Sequence, residues 1–353
     1  MILQRLQKVA GVAVILGMLA ALLFFPAASA QGVSEGLRSC GLQLIPALFP
    51  FLLVSALVAA SPLAELLGLG LYPYVRLLGI RNRAGATALF LGLLGGFAVA
   101  ANSISQFYAH GQLTKQEAEL LLVCSVGSGP GFVINSVGYL MLGSQQAGIL
   151  LFASLTLANL ACALLFRPLF HFDGIAPIPA PPPKKETGGF VAAMQRSVGA
   201  MLSICGYVIL FRFLTAVAAR LAPSNGPLLF FASALLEVTG GCLSGSGLGG
   251  QTAVFACCLA LSIQSLSVLL QVRSLLPRAI SIGPLLAARV IHLPLSLSFV
   301  YIGLRLWPGV APVYSSLAPR VLARSRTAPD VGFVLFLLCC VVLYRLYNRS
   351  PAK

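Results

Sequence analysis

Residues Leu235 to Gly250 read LLEVTGGCLSGSGLGG. A carboxylate, Glu237, stands there in a long apolar stretch, and glycines break the helix that an ordinary transmembrane segment would continue. An acid beside interrupted helix is what a solute or ion pathway requires, because ionisable groups inside a bilayer are costly and mark function. The other seven acids (Glu35, Glu65, Glu117, Glu119, Asp173, Glu186, Asp330) fall in loops, linkers or the ends of apolar runs. Glu237 is therefore the first candidate site residue.

The chain around this stretch is 58% hydrophobic and 9% charged, far from the roughly 25% charged of a soluble domain. This is the composition of an all-α, polytopic membrane protein. The net charge of +15 does not indicate a nucleic-acid partner, since the 23 Lys and Arg lie between apolar spans, as orientation signals do. The nine Cys lie mostly in apolar segments without C-x-x-C spacing, and only three His accompany them. They read as packing residues, so no metal and no cofactor is expected.

Apolar segments occur at 9–25, 40–60, 84–109, 118–142, 147–166, 197–219, 228–242, 251–272, 280–304 and 331–347. The first, with Arg5 and Lys8 before it and Ala28-Ser29-Ala30 after it, reads as a transmembrane helix or a signal-like segment. Leu63 to Leu78, with Glu65 and Arg76, reads as an interfacial helix. The stretch APIPAPPPKKETGG cannot form a core and divides the chain. The expected regions are 1–30 (first helix), 31–170 (first membrane repeat), 171–196 (cytoplasmic linker), 197–305 (second repeat) and 306–353 (external loop and last helix).

Counting crossings refines this plan. If residues 84–109 crossed once, the basic linker would lie outside, against the positive-inside rule. A re-entrant hairpin closed by Gly95-Gly96 removes the conflict, its arms being too short to span alone. The second half then repeats the order with opposite orientation: helix, hairpin at 228–250 with Glu237 to Gly241 near its turn, broken helix, helix. Inverted repeats with interrupted helices recur in secondary transporters.

Four stretches, LQLIPALFPFLLVSALV (42–58), SVGSGPGFVINSVG (125–138), LLEVTGG (235–241) and QSLSVLLQVRSLL (264–276), resemble in this order the sporulation integral membrane protein YlbJ family. The resemblance implies a nucleoside recognition or Gate domain, also found in spore maturation proteins, concentrative nucleoside transporters and ferrous iron transporters. Relatives usually carry a Gly-x-Pro-x-Gly-Ala turn followed by a basic residue. Here GGFAVAANS (95–103) puts Ala98 and Ala100 in place of Pro and Gly.

The candidate substrate-binding residues follow from the residues themselves. Ser128, Gly129 and Pro130 interrupt the helix 118–142, because Pro130 donates no backbone hydrogen bond and glycine tolerates the turn. Asn135 lies next to this break. Gln264, Ser265 and Gln271 form a polar ladder in 251–272, and Asn102 heads a third polar cluster. Small polar residues also serve plain helix packing, at about 0.6 kcal/mol per hydrogen bond. Arg212, Arg289 and His292 are the other ionisable groups in apolar runs, each costing about 3 kcal/mol unless paired or at an interface. Either arginine is a partner for Glu237, and Arg212 could instead snorkel. Thr114 with Glu117 has the form of a capping box.

No nucleophile elbow, Walker loop or HExxH occurs, so an enzyme is not expected. Two readings stay open: a permease for a small polar solute or ion, nucleoside-like or otherwise, in the cell membrane, and a non-transporting assembly component of spore formation. Lipid is the expected surrounding, and self-association into a homo-oligomer is compatible with either.

Overall fold

The computed structural model describes residues 2–59, 61–170, 189–221 and 226–310. All fall in one compact unit, Met1–Tyr314. Among the described residues every regular element is helical. The apolar segment 331–347 and linker residues 171–188 lie outside the description.

Helix α1 (Ile2–Phe24) is bent by 106° from α2 (Pro26–Ser39), where Pro26 takes the first helical position and needs no hydrogen-bond acceptor. From α2 the helix runs on through a π-helical turn, Cys40–Leu44, into α3 (Ile45–Ala59). The loop expected between the first two apolar segments is thus helical. It is held by α9 (Gly189–Leu221), against which Gly32, Gly36 and Cys40 present a small-residue seam. A Cβ on Gly32 would come 2.8 Å from the Arg212 carbonyl oxygen, one on Gly36 2.8 Å from Ile209 Cα, and the Cys40 thiol meets the Cys205 carbonyl at 3.8 Å. Partner numbers fall as positions rise, so the two long helices run antiparallel. Without bulky side chains between them, their backbones approach closely.

Leu63 to Leu78 is not one interfacial helix but two 3-10 turns, Pro62–Glu65 and Leu69–Leu71, followed by α4 (Tyr72–Leu77). Gly68 interrupts it, its N–H donating to Thr87 Oγ1 at 3.1 Å rather than continuing a helix.

Helices α5 (Arg83–Gly95) and α6 (Phe97–Ala109) are joined by Gly96 alone, at φ +79. A Cβ on Gly92 would lie 2.8 Å from that of Ala100, whereas eight residues of straight helix separate such atoms by about 12 Å. The chain therefore folds back on itself. Helix α7 (Lys115–Ser125) opens with the expected capping box: Glu117 N–H donates to Thr114 Oγ1 at 3.2 Å, and Thr114 N–H to Glu117 Oε2 at 2.8 Å. It stops at Ser125 and resumes as a π-helical segment, Gly131–Met141. Helix α8 (Gln145–Phe166) returns along that segment, with Gly148 and Gly138 at the crossing.

After residue 188 the chain is already helical, so residues 189–196 belong to α9 and not to the linker. Helices α10 (Gly226–Leu236) and α11 (Val238–Ser246) form a second hairpin at Glu237, where a Cβ on Gly241 would lie 2.6 Å from Ala234 Cα. Helices α12 (Gly250–Ile263) and α13 (Leu266–Leu275) are separated by a break at Gln264, and α14 (Gly283–Leu306) follows.

Four stretches, Gln145–Leu169, Gly189–Leu221, Gly250–Leu275 and Gly283–Leu306, are long and apolar enough to cross a bilayer, and up to six are if two bent pairs count as spans. The chain is an all-α, multi-pass membrane protein. Helices α8 and α14 run antiparallel, since Cys162 meets the Ala288 carbonyl near one end and Ser144 that of Val310 near the other. Contacts between the halves are reciprocal: α6 packs on α13 and α11 on the π-helical segment, while α7 packs on α14 and α8 on α12.

Candidate functional site

The two helix breaks meet at the Val126 carbonyl, and the tip of the first hairpin packs against Gly129 in the same break. Where α7 stops, its last carbonyls lose their helical partners and must find others. The Val126 carbonyl accepts from Gln264 Nε2 at 2.6 Å, and Arg289 Nη2 lies 3.4 Å from the Val126 and Val123 carbonyls. Arg289 Nη2 also donates to Asn159 Oδ1 at 3.0 Å. A guanidinium is well placed there, at the negative end of the α7 dipole. The Gly96 turn closes the arrangement: a Cβ on Gly96 would lie 2.8 Å from Gly129 N, and one on Gly127 2.7 Å from Asn159 Nδ2.

Gln264 makes its bond from a left-handed backbone, φ 53 and ψ 86, the one non-glycine residue with positive φ among the described residues. Such a conformation in a long side chain costs on the order of 1–3 kcal/mol and persists only where the surroundings impose it. Ser265 caps α13, accepting from Val268 N–H at 3.5 Å.

Several buried polar atoms here have no hydrogen-bond partner: Gln264 Oε1, Arg289 Nε and His292 Nδ1. Groups of this kind are rarely left unpaired in a folded protein, so water or a solute is their natural complement. His292 Nε2 lies 3.2 Å from the Leu155 carbonyl, and Ser262 meets Ser296 at 2.6 Å. No acid pairs with Arg289 among the described residues.

Of the sequence candidates, Gly129, Gln264 and Ser265 stand at this junction, with Ser128 and Pro130 half-buried in the same break. Asn135 is exposed on the π-helical segment. Asn102 donates to Ser55 Oγ at 3.3 Å, joining α6 to α3, and Gln271 donates to Ser267 at 2.9 Å within α13. Glu237 is buried at the tip of the second hairpin, where its carboxylate accepts from Thr239 N–H at 2.8 Å and Gly240 N–H at 2.7 Å as the cap of α11. Its cation is Arg212, with Nε 3.5 Å from Oε2. Arg289, the other partner considered, is engaged at the break.

Asn159 is absent from the sequence candidates. The signal was a lone Asn in the apolar run LANLAC, and a buried amide in such a run needs a partner. Glu119, set aside in the sequence with the acids outside the apolar stretches, accepts at Oε1 from Ser281 N–H at 2.8 Å and so ties α7 to the segment before α14. The seven described cysteines are free, and no group of three metal-ligating side chains occurs among the described residues. Cys339 and Cys340 lie outside the description.

No family model matches the chain, and no solved structure does. The sporulation integral membrane protein YlbJ of Bacillus subtilis (strain 168) is similar to it, 26% identical over 206 residues that cover 53% of this chain and 50% of that protein. The chain spans about half the length of the curated relative it matches. The relationship is a distant one, in line with the four sequence stretches that resemble that family.

Proposed function

We propose that this chain, a distant relative of a sporulation membrane protein, is itself a membrane protein of spore formation and moves a small polar solute through the junction of its broken helices. The observation that carries this reading is the bond between Gln264 and Val126, which brings the two breaks together with unpartnered polar atoms around them. Irregular backbone at membrane depth is tolerated where it lines a polar pathway.

An inverted repeat is the architecture we infer. The element order recurs, contacts between halves are reciprocal, and the corresponding helices α3 and α9, and α8 and α14, run antiparallel. The first hairpin has its feet at the end carrying Arg81, Arg83, Lys115, Arg273 and Arg278, and the second at the opposite end. By the positive-inside rule the former end is cytoplasmic.

Fixed charge narrows the solute class. Glu237 is paired with Arg212, whereas Arg289 has no acid beside it among the described residues, so the junction suits a solute bearing an acidic group better than an uncharged nucleoside. The second reading, a non-transporting assembly component, draws on the first hairpin, whose Ala98 and Ala100 are buried packing residues.

Complementation separates the two. In Bacillus subtilis lacking its YlbJ protein, transport predicts that this chain restores spore formation and that an equally abundant Arg289→Gln form does not. Restoration by the Arg289→Gln form would favour the assembly role.

A further inference from the structure

The two hairpin tips are held in different ways. At the first, backbone lies against backbone: Cβ atoms on Gly96 and Gly129 would stand 2.8 and 3.2 Å from each other's backbone nitrogen. The arm that follows, α6, contains no glycine. At the second tip the contact with α9 is an ion pair of 3.5 Å between Arg212 and Glu237, and Arg212 Nε makes no hydrogen bond there. Beside it, the Thr215 methyl lies 3.7 Å from where a Gly240 Cβ would be, ordinary van der Waals contact.

The glycines of the first hairpin lie in the arm before its tip, at Gly85, Gly92 and Gly95, whereas three of the second lie in the arm after it. Helix α11 is nine residues long and includes Gly240, Gly241 and Gly245, each costing about 1 kcal/mol relative to alanine in a helix. At its foot Gly249 and Gly250 have φ of +77 and +54, left-handed conformations that glycine adopts without steric cost. When Glu237 leaves Arg212 it keeps its bonds to Thr239 and Gly240 N–H, so opening the tip breaks one ion pair and leaves the carboxylate capped. Buried ion pairs contribute little net stability and are best attested as devices that fix one arrangement over another.

We propose that the α10–α11 hairpin is a gate, latched on α9 by the Arg212–Glu237 pair, while the α5–α6 hairpin is fixed. The assignment stands whatever solute is moved, and its test reads no transport.

Hydrogen–deuterium exchange of the full chain in lipid nanodiscs tests it directly. In the unaltered protein, amides of α11 should exchange at least about tenfold faster than those of α6. Arg212→Gln should speed α11 by a further factor of about ten without changing α6, and Arg212→Lys, which keeps the charge, should stay close to the parent. Equal or faster exchange in α6 of the unaltered protein overturns the proposal, and that comparison holds even where the variant does not fold. So does an Arg212→Gln protein in which α11 is unchanged or both hairpins speed up together.

Discussion

The side-chain amide of Gln264 donates to the carbonyl of Val126 at 2.6 Å, joining a break in one half of the chain to a break in the other across 138 residues of sequence. The first break leaves the Val126 carbonyl without a helical partner, and a side chain standing at the second break supplies one. The result is a junction held by polar groups inside a membrane protein, where unpaired polar groups cost several kcal/mol.

Gln264→Leu removes that donor while keeping bulk. Loss of a buried hydrogen bond with a stranded acceptor costs about 1–3 kcal/mol, so thermal unfolding in detergent should shift down by several degrees. Gln264→Asn separates the bond from the backbone strain. Asparagine tolerates the left-handed conformation but is one methylene shorter, and should fall with Leu if the bond dominates.

Gly96→Ala should be poorly tolerated. The residue has φ +79 and ψ −171, a region open essentially to glycine, and an added Cβ would meet Gly129 N at 2.8 Å. A cost of about 1–3 kcal/mol for the backbone alone is expected. Size-exclusion yield should drop for Gly96→Ala and stay at parent level for Gly131→Ala, where no atom lies within 4 Å.

Asn159 and Arg289 should be coupled energetically. Asn159→Leu leaves the guanidinium with its two carbonyl contacts at 3.4 Å. A double-mutant cycle with Arg289→Gln, read by thermal unfolding, should give an interaction of about 0.5–3 kcal/mol. Additive effects would make the 3.0 Å contact energetically idle.

Orientation is checked by labelling. Lys115→Cys, at a side chain 57% exposed, should react with an impermeant thiol reagent only from the cytoplasmic side, and Trp307→Cys only from the outside. Reaction of both from one side would remove the assigned topology.

How far the sequence carried this picture depends on where each feature's cause lies. The tips at Gly96 and Glu237 and the break from Ser125 to Gly131 were legible, because glycine, proline and a lone acid act locally. The repeat called for a broken helix at 251–272, but the place of the break at Gln264 was not legible, since SIQS contains no helix breaker and the Val126 carbonyl that Gln264 meets lies far away in sequence. Helix α2 was hidden for a similar reason: QGVSEGLRS is polar and reads as loop, and only the fit of Gly32 and Gly36 against α9 makes it helix. The Arg212 partnership of Glu237 was one of two alternatives from charge alone, and geometry chose between them.

Solute binding at the Val126 junction, through Arg289, is the central proposal. Thermal unfolding of the purified full chain against a panel of small carboxylates, phosphates and nucleosides tests it, because a ligand of the folded state raises stability by mass action. The account predicts that one or more acidic solutes stabilise the parent, that nucleosides do not, and that Arg289→Gln abolishes the effect while staying folded. Stabilisation by an acidic solute that persists unchanged in Arg289→Gln, or none from any member of the panel, would contradict it.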